Sequence, residues 1–264
     1  MKILDTLAPS LSAKIGYHFM SNPQTKKLRD FEQETLNKAQ KDQIKFEDFT
    51  IQTYRWNGTA PKKALLVHGW EGQAGNFGAI VPVLVEKGFC VESFDAPSHG
   101  LSSKGNTSVT DYFEIIGQFI EQNNYELIIT HSFGSVATIF VLSNLKATIK
   151  QIILLTTPNR FEDRIQMVID ALGLTNRTKN ALIKLFQKKT GYDPLTLNAT
   201  DFTENINAEK VTFIHDKNDQ AVPIEWSKAV HQSWANSEFI EIENTGHFKM
   251  LWSKTTLSIL KDII

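Results

Sequence analysis

The 264-residue chain has one cysteine, Cys90, so no disulfide can form within it. Cys90 lies in the apolar run 88–95. There a free thiol behaves as a small hydrophobe, and no nearby base is placed to make it a nucleophile. Long apolar runs are missing too. Nothing approaches the roughly 18 consecutive apolar residues of a membrane span. Residues 1–20 are broken by Asp5, Pro9 and Lys14 and lack the apolar core of a signal peptide. A cytoplasmic location is the resulting expectation. Neither sign of charge predominates: 28 Lys and Arg against 29 Asp and Glu give a net charge of −1. That balance excludes binding to nucleic acid or an anionic membrane by bulk electrostatics and leaves small-molecule chemistry. Internal repeats and low-complexity tracts are absent. No cluster has metal-ligand spacing, so no metal or organic cofactor is expected. The sequence carries no mark of oligomeric state.

What is present is a globular composition, 41% hydrophobic and 22% charged, in a chain long enough to bury a two-sided sheet. Residues 1–43 read as helical: Leu11, Ile15 and Phe19 recur at helical spacing, and Leu28, Phe31 and Leu36 follow Asn22-Pro23. This segment is expected to pack on the core. Residues 44–56 alternate apolar with polar in two registers, as one or two strands with a solvated face do, and Asn57-Gly58 marks a turn. Six short apolar runs follow, at 64–68, 89–95, 127–131, 152–156, 211–215 and 239–242. Continuous runs separated by helix-length segments indicate parallel strands covered on both faces. Helices are expected at 76–87, 109–123, 133–146, 223–234 and 249–262, with Asp111, Pro223 and Ser253 at positions helix starts tolerate. The stretch 159–208 breaks the rhythm and reads as a helical insertion. The fold class is therefore α/β, a mostly parallel doubly wound sheet. Its core spans 44–158 and 209–264, interrupted at 159–208.

Four fragments carry chemistry. Thr130-His131-Ser132-Phe133-Gly134 joins a strand to a helix, a turn that pushes Ser132 out of the sheet as a nucleophile. Gly134 gives the small residue this turn needs after the serine; Thr130 stands where glycine is usual. His68-Gly69-Trp70 follows another strand. Gly69 lets the backbone turn, so that the amides of Trp70 and Phe133 could form an oxyanion hole, with His68 holding the loop. Phe213 to Pro223 presents two acids after a strand, Asp219 and its rival Asp216, of which Asp219 lies closer to the Val222-Pro223 turn. Asn244 to Phe248 follows the last strand, and Gly246 permits a tight loop presenting His247, whose near-neutral reference pKa suits a general base. The order Ser132, Asp219, His247, each after a strand, is that of a strand-end nucleophile, acid and base.

On these fragments, together with residues 94–102 (Phe-Asp-Ala-Pro-Ser-His-Gly-Leu-Ser), the chain resembles α/β-hydrolases. The likeness is greatest to bacterial esterase, lysophospholipase and serine-aminopeptidase-like members, and it spans residues 64 to 250. Ser98 stands where that family usually has glycine, and Asp95 and His99 belong to a motif that is usually structural. The resemblance implies a serine hydrolase acting through an acyl-enzyme on Ser132, with residues 159–208 as a lid over it. A small or medium carboxylic ester is the expected substrate, with thioesters, lysophospholipids and small amides also open. The fold also supports proteins that bind a ligand without turnover.

Overall fold

The computed structural model describes Asp5 and residues 8–264. Its strands are β1 (Gln40–Phe46), β2 (Phe49–Trp56), β3 (Lys62–Val67), β4 (Phe89–Phe94), β5 (Leu127–His131), β6 (Thr148–Leu155), β7 (Asn207–Asp216) and β8 (Ser237–Ile242). They form one sheet in the order β1-β2-β4-β3-β5-β6-β7-β8. β1 and β2 are antiparallel to each other, and β2 is antiparallel to β4. All other pairings are parallel. The helices are α1 (Pro9–Ser21), α2 (Asp30–Asn37), α3 (Ile80–Glu86), α4 (Val109–Gln122), α5 (Phe133–Asn144), α6 (Phe161–Leu172), α7 (Asn176–Thr190), α8 (Ile224–Gln232), α9 (Gly246–Lys249) and α10 (Lys254–Ile263). None of these is long and apolar enough to cross a membrane.

The central strands are apolar throughout because both faces of the sheet are covered. Successive side chains point to opposite faces. Leu65, Val67, Ile128, Ile152, Leu154 and Phe213 therefore join the core under α4 and α5. Their neighbours Leu66, Ile129, Ile153, Leu155 and Ile214 join the core that holds residues of α3 and α10. Each such side chain contributes about 1.5–3 kcal/mol by leaving water. Helix starts are fixed locally. Ser108 Oγ accepts from the Asp111 N–H while Asp111 reaches back to the Ser108 N–H, and Ser253 Oγ accepts from the Thr256 N–H.

At the N-terminal end the chain departs from expectation. Residues 40–43, expected at the end of a helical segment, open β1 and pair with residues 52–55. All four are exposed on the sheet edge, so they show no apolar period of either kind. α2 does pack on the core: Trp56 Nε1 donates to the Thr35 carbonyl at 2.8 Å. α1 packs instead on the insertion, against α6 and α7. Its buried face is Ser12, Ala13, Gly16 and Met20, whereas Leu11, Ile15 and Phe19, the residues that carried the helical pattern, are exposed. Close approach of the backbones selects the small residues: a Cβ on Gly16 would sit 3.3 Å from Leu182. Asp5 lies at the start of α7, accepting from the Thr175 N–H at 2.8 Å and from the Thr178 hydroxyl.

The chain leaves β3 for β4 on one side, then returns to lay β5 on the other. The loops after β3 and β5 therefore diverge at a topological switch point, where open α/β sheets bind ligands.

Candidate active site

Ser132 sits at the turn from β5 into α5 with φ +54° and ψ −125°. That conformation is strained for a residue with a side chain, by about 1–3 kcal/mol, and persists only where the surroundings fix it. They do so here. The Ser132 N–H donates to the Leu155 carbonyl at 2.9 Å, and the Ser135 N–H donates to the Ser132 carbonyl at 2.8 Å. Two glycines make the room. A Cβ on Gly134 would lie 2.5 Å from the His68 carbonyl oxygen, and one on Gly69 would lie 3.0 Å from both the His131 carbonyl oxygen and Ser132 Cβ. Thr130 fits where glycine is usual. It is fully buried on β5, and its hydroxyl pairs with that of Ser135 at 2.7 Å.

The loop after β3 is braced from behind. His68 Nδ1 donates to the Gly69 carbonyl at 2.7 Å, and its Nε2 accepts from the Ala96 N–H at 3.1 Å. Burial lowers its pKa and keeps the ring neutral, which that pattern requires. The Tyr112 hydroxyl donates to the His68 carbonyl. Asp95 accepts from the Ala74 and Leu101 N–H groups, both at 2.8 Å, and from the Tyr54 hydroxyl at 2.9 Å. His99 is buried, with Nδ1 on the Pro97 carbonyl at 2.9 Å. Ser98 takes φ +67° and bonds through its hydroxyl to the backbone of Gly105, so it shapes this loop without glycine. The N–H groups of Trp70 and Phe133 donate to no other group among the described residues.

The two candidate acids divide their work. Asp219 Oδ2 accepts from His247 Nδ1 at 2.9 Å, while Oδ1 accepts from the Ala221 and Val222 N–H groups at 2.8 and 3.0 Å. Burial alone would push its pKa up, but the hydrogen bonds from His247 and these amides outweigh it and hold the carboxyl below its usual range. Asp216 does not touch the imidazole. It accepts from the N–H and hydroxyl of Thr245 and from the Gly246 N–H at 2.8 Å, and so fastens the loop that carries His247. His247 is the second residue of α9, just after Gly246 at φ +59°. With Nδ1 on Asp219, its Nε2 has no partner among the described residues. Ser132 and His247 line the same cavity. Their side chains are not hydrogen-bonded to each other, and such bonds in ligand-free sites often tighten only with substrate.

Sequence reasoning missed two supports of this arrangement. His131 Nε2 donates to the His247 carbonyl at 2.9 Å, so the residue before the serine steadies the loop of the histidine. Burial pushes its pKa down to about 3, which keeps it neutral. Its place beside Ser132 was the only available signal. The second is Arg164 on α6. Its guanidinium carbon lies 5.1 Å from the Trp70 ring centroid and 6.0 Å from that of Phe133. Burial lowers its pKa to about 10, with Glu71 pulling the other way.

The cavity has a volume of about 170 Å3. Ser132, His247 and Trp70 line it from the strand-end loops, and Phe161, Arg164 and Met167 line it from α6. That volume is near the roughly 150 Å3 of an apolar cavity that takes up benzene.

A strained serine at a strand-to-helix turn, followed by an acid and a histidine on later strand ends of a mostly parallel sheet, places the chain in the α/β-hydrolase superfamily. The profile of the serine hydrolase family matches residues 106–253, more than half of the chain, and the chain belongs to that family. A serine hydrolase-like protein of Dictyostelium discoideum is 28% identical over 147 residues, which are 52% of this chain and 41% of that protein. The chain thus spans less than half of that relative. Among solved structures, an esterase of Pyrococcus furiosus superimposes with a TM-score of 0.65 at 17% identity, covering 91% of this chain and 97% of its own. Est1E of Butyrivibrio proteoclasticus, solved with ferulic acid bound, gives 0.66 at 17% identity, covering 84% and 95%. A thioesterase domain from the curacin biosynthetic pathway gives 0.63 at 14% identity, covering 85% and 98%. At these identities the likeness is one of fold.

Proposed function

We propose that this hydrolase cleaves a small or medium carboxylic ester through an acyl-enzyme on Ser132. The observation that carries the reading is the 2.9 Å bond from His247 Nδ1 to Asp219, which turns the free Nε2 into the base for a serine lining the same cavity. In this reading Ser132 Oγ attacks the carbonyl carbon as its proton passes to His247 Nε2. Asp219 steadies the imidazolium that forms, and the Trp70 and Phe133 amides receive the oxyanion. His247 then returns the proton to the leaving alcohol. Water, deprotonated by the same nitrogen, releases the acid and restores Ser132. Residues 159–208 act as the lid, with α6 as the wall that the acyl group meets.

The cavity volume favours short acyl chains over lysophospholipids. Thioesters of similar size meet the same geometry. Hydrolysis of p-nitrophenyl esters of rising chain length tests this. Activity should peak at short chains and fall by about 10⁴–10⁶ in Ser132→Ala. An active Ser132→Ala protein, or a preference for long chains, would contradict the proposal.

A further inference from the structure

Resting on that reading, we infer that Arg164 makes this a hydrolase for esters bearing a second, anionic group, a carboxylate held at the α6 wall while the ester carbonyl meets Ser132. Apart from Ser132, His247 and two arginines the lining is apolar and aromatic, and no carboxylate is part of it. Of its two arginines, Arg160 is occupied, bonded to Asp163 at 3.1 and 2.6 Å. Arg164 has neither an ion pair nor a hydrogen bond to any described residue. Glu71 draws on its charge but forms no ion pair with it.

Arg164 is half-buried, no described protein group meets its donors, and an anion entering the cavity would meet them in place of water. The place of Arg164 over the Trp70 ring engages the cation without using its N–H donors, which are left for a planar acceptor. Carboxylate is the anion that this fork matches in two parallel bonds. The position fits the chemistry as well. Arg164 lies against the rings of Trp70 and Phe133, the two residues whose amides receive the oxyanion in the proposed reading, so a short linker would join an ester carbonyl to the anion. The half-buried setting of Arg164 reduces the screening by water that would level such a preference at a fully exposed arginine.

The test is the ratio of kcat/KM for an anionic ester to that for a neutral one of equal length. Mono-p-nitrophenyl glutarate against p-nitrophenyl pentanoate puts the charge on the acyl side. The acetyl ester of glycolate against ethyl acetate, followed by acid release, puts it on the alcohol side. The intact protein should prefer the anionic member on one side. That ratio should fall at least tenfold in Arg164→Gln and be kept only in part by Arg164→Lys, which restores the charge without the fork. Raising the salt should lower it in the intact protein and not in Arg164→Gln. A ratio that Arg164→Gln leaves unchanged on both sides, with neutral esters still hydrolysed, would overturn the anion site and spare the serine chemistry. Failure of the intact protein on all four esters would instead overturn the serine reading, and this inference with it.

Discussion

The two walls of the cavity are built on opposite principles. The strand-end wall is polar, strained and over-determined. Ser132 holds a disfavoured backbone conformation, Gly134 has no room for a Cβ and Gly69 little, and Asp216, Asp219, His131 and His68 each use their hydrogen bonds to fix a neighbour. The α6 wall is made of large apolar side chains packed by area, with Phe161 4.8 Å from Phe186, and one arginine. The first wall suits chemistry that must hold its geometry within a fraction of an ångström; the second suits selection of a substrate by size and charge. The difference teaches where to expect kcat effects and where to expect changes of preference.

The sharpest way to break the comparison is within the strand-end wall, between two carboxylates three residues apart. Asp219→Asn should lower kcat by about 10³–10⁴, because the imidazole loses its partner. Asp216→Asn should lower kcat by less than about tenfold but cost about 1–3 kcal/mol of stability, since an amide would face N–H donors. Turnover and thermal unfolding measured on both variants check this, and equal kcat losses would break the division of roles. On the other wall, Phe161→Ala should cost about 3–5 kcal/mol of stability. It should also shift the preferred acyl chain upward while changing kcat on the best ester only a few-fold. A variant with unchanged preference would mean that α6 does not face the acyl group.

The smallest effect is a pH dependence of stability. His131 titrates near 3 in the folded chain and at about 6.5 when unfolded. The folded chain therefore binds fewer protons between these values, and stability should fall as pH drops from about 6.5. Asp216 and Asp219 are both held low, so their contribution should be lost at still lower pH, below about 4. Thermal unfolding across pH 4–7 should show this slope, to which the buried His68, His99 and His215 add in the same direction, and His131→Gln, which keeps a donor for the His247 carbonyl, should reduce it.

Legibility in the sequence followed the same division. The central strands were readable because covered parallel strands must be apolar throughout, and Ser132, Gly134, Gly69 and Gly246 because tight turns leave few choices of residue. The pairing of Asp219 rather than Asp216 with His247 depends on three-dimensional register and could only be ranked. The edge strand at 40–43 was hidden because exposed polar residues carry no period. α1 misled because its buried face is small residues, while its large ones point to water. Arg164 was out of reach, because nothing in a helical insertion says which side chain meets a cavity formed by distant loops.

The central claim is that Ser132 is the activated nucleophile, and covalent labelling tests it most directly. A fluorophosphonate probe followed by peptide mass spectrometry should modify the intact protein at Ser132 alone, with no labelling in Ser132→Ala and at least a hundredfold slower labelling in His247→Ala. Labelling that persists in Ser132→Ala, or that proceeds at the full rate without His247, would contradict it.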